Sequence, residues 1–233
     1  MISAFYSYQC CEQRLLVVVF AVMALFSGEA CMAEKNIYRL PEPNLEANAC
    51  LNPILQQRRT NRAFASRPVS ITEVAQLLWA AQGITSHEGY RTAPSAGALY
   101  PLELHLVSGQ VEGLPTGSYR YDPVRRALEA EMPGDLRHAI AEAALQQDWI
   151  AQAPAIVVVS AVNARTTAKY GRRGIRYVYM EAGHTSQNLL LQAVALGLAA
   201  ATVGAFDDER LQRLLNLTEE ERPLVILPVG YPR

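Results

Sequence analysis

Lys169 is one of only two lysines in a chain that otherwise carries arginine, and Tyr170 follows it directly. Upstream, Arg58, Arg59 and Arg62 crowd around the hydroxyl of Thr60. Arginine forks suit phosphate better than lysine point charges do. Between these groups, residues 90 to 107 read YRTAPSAGALYPLELHLV, with Ser95, Ala96, Gly97 and Ala98 in a row before an alternating stretch. Small side chains build no core, but they let a backbone come close to something flat. Taken singly, the arginines also suit a solvated helix end, the loop an ordinary turn and Lys169 a surface turn. Together they fit a phosphorylated planar cofactor, and flavin mononucleotide (FMN) has both parts.

A polar stripe adds to this set. Glu181, His184 and Asn188, spaced by three and four with Gln187 beside them, interrupt a segment that is apolar on nearly every face of its second half. Glu181 and His184 have the spacing of a metal-binding pair, but a di-iron site needs a second such pair and two further glutamates, which the sequence lacks. The stripe therefore reads as a hydrogen-bonded interface or pocket wall, with no metal. Motifs of serine hydrolases, zinc proteases, P-loop enzymes and dinucleotide-binding folds are missing. His87, His105 and His138 stand alone and read as structural or surface residues. A further cluster, Arg172, Arg173 and Arg176, follows the lysine and tyrosine.

Several elements must position these residues. A short helix at 48–59 leads into the loop TNRAFASRPV. Ser70 and Glu73 form a capping box for a helix whose Val74, Leu77, Leu78 and Ala81 share one face and whose stop is Gly83. A strand at 103–108, a hairpin over 117–131 turning at Asp122 and Pro123, and a helix near 134–146 follow. Beyond them come a strand at 155–162, a long helix from about 175 to 197, a strand at 199–204, a short helix at 207–216 and a last strand at 224–230. Helices and strands mix without regular alternation, so the class is α+β.

The stretches RRTNRAF (58–64), TAPSAGALYPLELHLV (92–107), KYG (169–171), EAGHTSQNLLLQAVALGL (181–198), TVGAFDD (202–208) and LPVGYP (227–232) resemble, in that order, the nitroreductase superfamily. More narrowly the chain resembles the SagB/ThcOx-type dehydrogenases, flavin enzymes that oxidise azolines to azoles in peptides. The resemblance runs from about Leu51 to the C-terminus. It implies a mostly antiparallel central sheet flanked by helices, a long buried central helix, and an intertwined homodimer with FMN built in from both subunits. By the same resemblance Arg58, Arg59, Thr60 and Arg62 contact the phosphate and ribityl chain, and Pro94, Ser95, Ala96 and Gly97 border the isoalloxazine ring. Gly204 and Ala205 pass beside that ring, with a backbone hydrogen bond near N5, and Arg233 stands where relatives carry a late phosphate contact. Lys169 and Tyr170 match the acid and base of the azoline-oxidising members. Moving a hydride to a flavin leaves a proton for another group to take, and a lysine shielded from water suits that task.

The implied activity is two-electron, ping-pong oxidoreduction on a small-molecule or peptide substrate, as dehydrogenation of a C–N or C–C bond. NAD(P)H-dependent reduction of nitro compounds or quinones is the alternative direction, and a non-catalytic flavin-binding module the alternative class. Residues 12–33 place Arg14, an apolar run from Leu15 to Phe26 and small residues ending in Ala33 in the order of a secretory signal. The expected division is a signal peptide at 1–33, an arm at 34–48 and the flavin domain at 49–233, exported to the periplasm. A start at Met32 would instead make the protein cytoplasmic. The apolar run is short for a membrane span. Without Arg14, Glu12 and Glu29, the 21 basic and 22 acidic residues become 20 of each, and such balance gives no reason to expect nucleic acid. Cys50 alone remains in the mature chain, so no disulfide forms within it.

Overall fold

The structure, a computed structural model, describes residues 36–46 and 50–233. The expected signal peptide lies outside these residues. Seven strands form one antiparallel sheet: β1 (Ile37–Arg39), β3 (Leu102–Ser108), β5 (Gly117–Asp122), β6 (Ala127–Pro133), β7 (Ala155–Val162), β8 (Ala199–Ala200) and β9 (Glu221–Gly230). Their order across the sheet is β1-β6-β5-β3-β7-β9-β8. A separate parallel pair joins β2 (Val69–Ser70) to β4 (Val111–Glu112).

The apolar run of β7 reflects a sheet covered on both faces. Val157 and Val159 enter one core cluster, while Ile156 and Val158 enter the other. Over the first face lie α2 (Ile71–Gln82) and the 22-residue α5 (Gly174–Ala195). Over the second lie α3 (Arg137–Ala143) and α6 (Asp208–Leu214). Two further helices, α1 (Leu51–Gln57) and α4 (Ala164–Tyr170), carry or adjoin the residues of interest.

The capping box forms as its sequence predicts. Ser70 Oγ accepts the Glu73 N–H and Glu73 Oε2 accepts the Ser70 N–H, and Gly83 follows the helix. Other boundaries move. The strand expected over 199–204 is only Ala199–Ala200, with Val203 making one isolated bridge to Ile226. The last strand begins earlier, at Glu221, and the arm contains β1, which pairs with the sheet edge through Ile37 and Glu129. The long helix is buried on one side only. Val178, Ala182, Thr185 and Leu189 face the core, whereas Tyr179, Met180, Gly183, His184 and Gln187 are exposed in the single chain.

A buried ionic cluster pins the sheet from within. His105, fully buried on β3, donates from Nδ1 to Glu131 on β6 (2.9 Å) and from Nε2 to Glu221 on β9 (2.6 Å). Arg120 on β5 bonds both carboxylates, and Ser160 on β7 donates to Glu221. Burial alone would lower the imidazole, but its two carboxylate partners outweigh it and raise it above the ordinary histidine value. Burial likewise opposes ionisation of Glu221, yet His105, Ser160 and Arg120 bring it down to about 2. The isolated histidine of the sequence is thus a structural peg held between two carboxylates.

Candidate active site

The loop from Thr92 to Pro101 is bent by three residues with left-handed backbone: Gly97 (φ 64°), Ala98 (φ 54°) and Tyr100 (φ 45°). The two non-glycine residues store backbone strain of order 1–3 kcal/mol each, so neighbours must hold the shape. Ser95 Oγ accepts the Tyr100 N–H at 2.8 Å, and Arg165 donates to the Tyr100 carbonyl while pairing with Glu103. Arg91 lies 4.5 Å over the Tyr100 ring and donates to Gln82, which in turn donates to Thr185 of α5.

The polar stripe of α5 supports the same loop. Glu181 accepts the Ala96 N–H at 2.8 Å, and Asn188 donates to the Thr92 carbonyl at 3.2 Å. Burial raises the Glu181 carboxyl; the bonds from Ala96 and Ser95 offset this only in part. The stripe is therefore a wall behind the loop, as its spacing suggested. His184 stands exposed beside it, bordering a small cavity of about 100 Å³ with Pro94, Ala96, Tyr177 and Met180.

Lys169 and Tyr170 close on this loop. A Cβ added to Gly97 would lie 2.8 Å from the Tyr170 hydroxyl and 3.0 Å from Lys169 Nζ. Helix α4 carries the pair and stops at Gly171, whose φ of 55° turns the chain towards α5. At Gly174 the start of α5 packs closely on α4, since a Cβ added there would lie 3.0 Å from the Thr166 and Thr167 backbone. Tyr170 packs edge-on against Tyr177 at 5.2 Å, and the Lys169 ammonium sits 5.4 Å from the Tyr170 ring. Lys169 itself is exposed in the single chain, so shielding from water has to come from something bound there.

The remaining expected site residues form a second group. Arg58, Arg59, Thr60 and Arg62 follow α1, and Asn61 N–H bonds to the Ala200 carbonyl. Arg59 donates to the Gln56 and Arg58 carbonyls, while Arg62 lies 5.6 Å from the Trp149 ring. None of the three arginines pairs with a carboxylate among the described residues. The chain end joins this group, since Arg233 N–H bonds to the Ala63 carbonyl and Ala65 N–H to the Tyr231 carbonyl. Gly204 and Ala205 are exposed, with open space at Gly204 and the Ala205 carbonyl accepting from Gln147, two residues from Trp149.

Two half-sites therefore sit at different levels of α5. The loop with Lys169 and Tyr170 is tied to α5 at Glu181 and Asn188, and the arginine group is tied to β8, beyond the end of that helix, through Asn61 and Ala200. The unpaired arginines suit an anion, and the bare backbone of Gly97 lets Lys169 and Tyr170 close in where any Cβ would collide with them, so both parts fit the pieces of FMN. Sequence reasoning missed Arg91, Trp149 and Arg165, whose roles depend on contacts between distant segments.

An antiparallel sheet with helices on both faces and these grouped residues define an oxidoreductase fold of the nitroreductase type. The chain belongs to the nitroreductase family, whose pattern matches residues 55–231. A candidate nitroreductase of Methanocaldococcus jannaschii is 42% identical over 180 residues, covering 77% of this chain and 90% of its own. The microcin B17-processing protein McbC of Escherichia coli is 28% identical over 142 residues, 58% of this chain and 52% of McbC. A solved structure of a candidate nitroreductase from Ralstonia eutropha JMP134 superposes with a TM-score of 0.75 at 29% identity, covering 84% of this chain and 90% of that one.

Proposed function

We propose that the protein is an FMN-dependent dehydrogenase of the SagB type, working as a homodimer and oxidising a C–N or C–C bond with Lys169 and Tyr170 as its acid/base pair. The observation that carries this reading is the convergence of both side chains on the face of Gly97. Arg58, Arg59, Thr60 and Arg62 would hold the phosphate and ribityl chain, joined by Arg233; Pro94, Ser95, Ala96 and Gly97 would border one edge of the ring, and Gly204 and Ala205 another. Bound there, FMN supplies a two-electron acceptor that a second substrate can reoxidise. Lys169 takes the proton that the substrate gives up, and Tyr170, braced on Tyr177, orients the same group by a hydrogen bond. The strained loop presents small groups, so nothing on it keeps a planar partner at a distance.

The two half-sites favour the dimer. If α5 of one copy runs antiparallel to α5 of another, the loop end of one meets the arginine end of its partner. Exposed Met180 and Gly183 lie on the stripe that would be covered. The likeness to a candidate nitroreductase favours a second direction, NAD(P)H-driven reduction of nitro compounds or quinones at the same residues. Export through the 1–33 leader belongs to the proposal, and the mass of the mature N-terminus checks it.

Substituting Lys169→Ala tests the chemistry. The variant should purify with the flavin absorbance of the parent yet lose turnover by about 10²- to 10⁴-fold, the usual worth of a positioned proton-transfer group. Loss of flavin instead would make Lys169 structural. A parent protein that stays colourless after refolding with FMN would sink the whole reading.

A further inference from the structure

Arg172, Arg173 and Arg176 take no part in the chemistry above. Together with Lys169 they make four cations within eight residues, and the stretch from Ala164 to Met180 contains no Asp or Glu. All three arginines are exposed, and among the described residues none of them forms an ion pair. The chain as a whole, cluster included, carries a formal net charge of -1, so this local excess of cations is offset by acidic residues elsewhere in the sequence. The cluster also connects physically to the acid/base pair. The Arg173 guanidinium lies 6.0 Å from the Tyr177 ring, and that ring packs on Tyr170 at 5.2 Å.

We infer that this cluster recognises the charged group of the substrate, which is a small organic anion bearing a carboxylate or phosphate. The inference rests on the dehydrogenase reading, because it places the cluster at the approach to Lys169. Three guanidinium forks within five residues suit a compact carboxylate or phosphate. Unpaired cations close in sequence to Lys169 raise the local concentration of anions, and salt screens that attraction. Uncharged substrates gain nothing from it.

The test uses the flavin-loaded full chain. Its flavin is photoreduced, so that no pyridine nucleotide is involved, and is then mixed with 4-nitrobenzoate or with uncharged 4-nitrobenzyl alcohol. The second-order reoxidation rate for the anion should fall about tenfold or more between low and high salt, within the range for electrostatic steering, while the neutral acceptor changes less than twofold. Combined substitution of Arg172, Arg173 and Arg176 by Gln should remove the salt dependence for the anion alone. The ratio of variant to parent cancels each acceptor's intrinsic reactivity. R172Q/R176Q keeps the Arg173–Tyr177 stack and should show the larger part of the same loss, with flavin content and melting temperature unchanged.

Benzoate and phenyl phosphate serve as unreactive ligands, followed by perturbation of the oxidised flavin spectrum. Binding of either, weakened by the triple substitution, supports the inference and tells carboxylate from phosphate. Equal salt dependence for both acceptors, or no binding by either ligand, overturns it. A protein that binds no flavin, or whose reduced flavin no acceptor oxidises, fails earlier and counts against the dehydrogenase reading.

Discussion

Glu181 is buried within a helix whose core side is otherwise mostly apolar, and the Ala96 N–H it accepts holds the loop that carries Gly97. Burial raises its carboxyl above the usual value of 4.5. A raised carboxyl contributes stability that is complete below the ordinary value and is lost as pH rises through the folded value. Glu181→Gln keeps an acceptor for Ala96 but cannot ionise, so its melting temperature should gain on the parent as pH rises from 4 to 7, and match it most closely at the acid end. Parallel pH profiles would show that the carboxylate is not strained there. Glu181 was legible as a polar residue on an apolar helix, but its partner was not, because Ala96 is 85 residues away and offers only a backbone group. Lys169 was legible by its rarity and Arg58, Arg59 and Arg62 by their crowding. Arg165 was not, since its value comes from the Tyr100 carbonyl and Glu103, neither of which marks itself in the chain.

At the scale of elements, the sheet is held by charge as well as by apolar packing. Glu221 stands at about 2 and Glu131 is also lowered, so their contribution is present above the ordinary carboxylate value and lost as pH falls towards 2. His105 is raised, so its contribution is complete below 6.5 and fades as pH climbs through its folded value. The cluster therefore stabilises most between about pH 4.5 and 6.5. His105→Gln leaves two buried carboxylates facing one arginine and should cost roughly 3–5 kcal/mol at pH 6. Urea denaturation across pH checks this, and a variant profile parallel to the parent's would refute the assignment. Elements with a strong period were readable: α2 by its capping box and stripe, β7 by its apolar run, and the β5–β6 hairpin by Asp122 and Pro123. Strands β1, β2 and β4 span only two or three residues, too few to show alternation. Helix α4 begins without a side-chain cap and contains two threonines, so packing against Gly174 rather than local propensity accounts for it.

For the whole molecule, the question is why α5, whose second half reads as apolar on nearly every face, leaves one side open. A single chain leaves Met180, at 54% exposure, beside Gly183, His184 and Gln187 on its open side. Gly183 is the informative position, because a Cβ there meets nothing within 4 Å and its backbone is helical. In an isolated chain Gly183→Arg is harmless, and a better helix former should even add a few tenths to about 1 kcal/mol to α5. In a dimer whose partner helix crosses this stripe, the same side chain fills the contact and adds an unpaired charge. Sedimentation of the parent should therefore give a dimer with flavin, and the G183R variant a folded monomer that has lost flavin, since each half-site would be parted from its complement. Far-ultraviolet circular dichroism should stay unchanged and confirm that the chain itself is intact. A variant that remains dimeric and yellow would place the second copy elsewhere, and a monomeric parent that binds flavin would mean that one chain brings both half-sites to the same ligand.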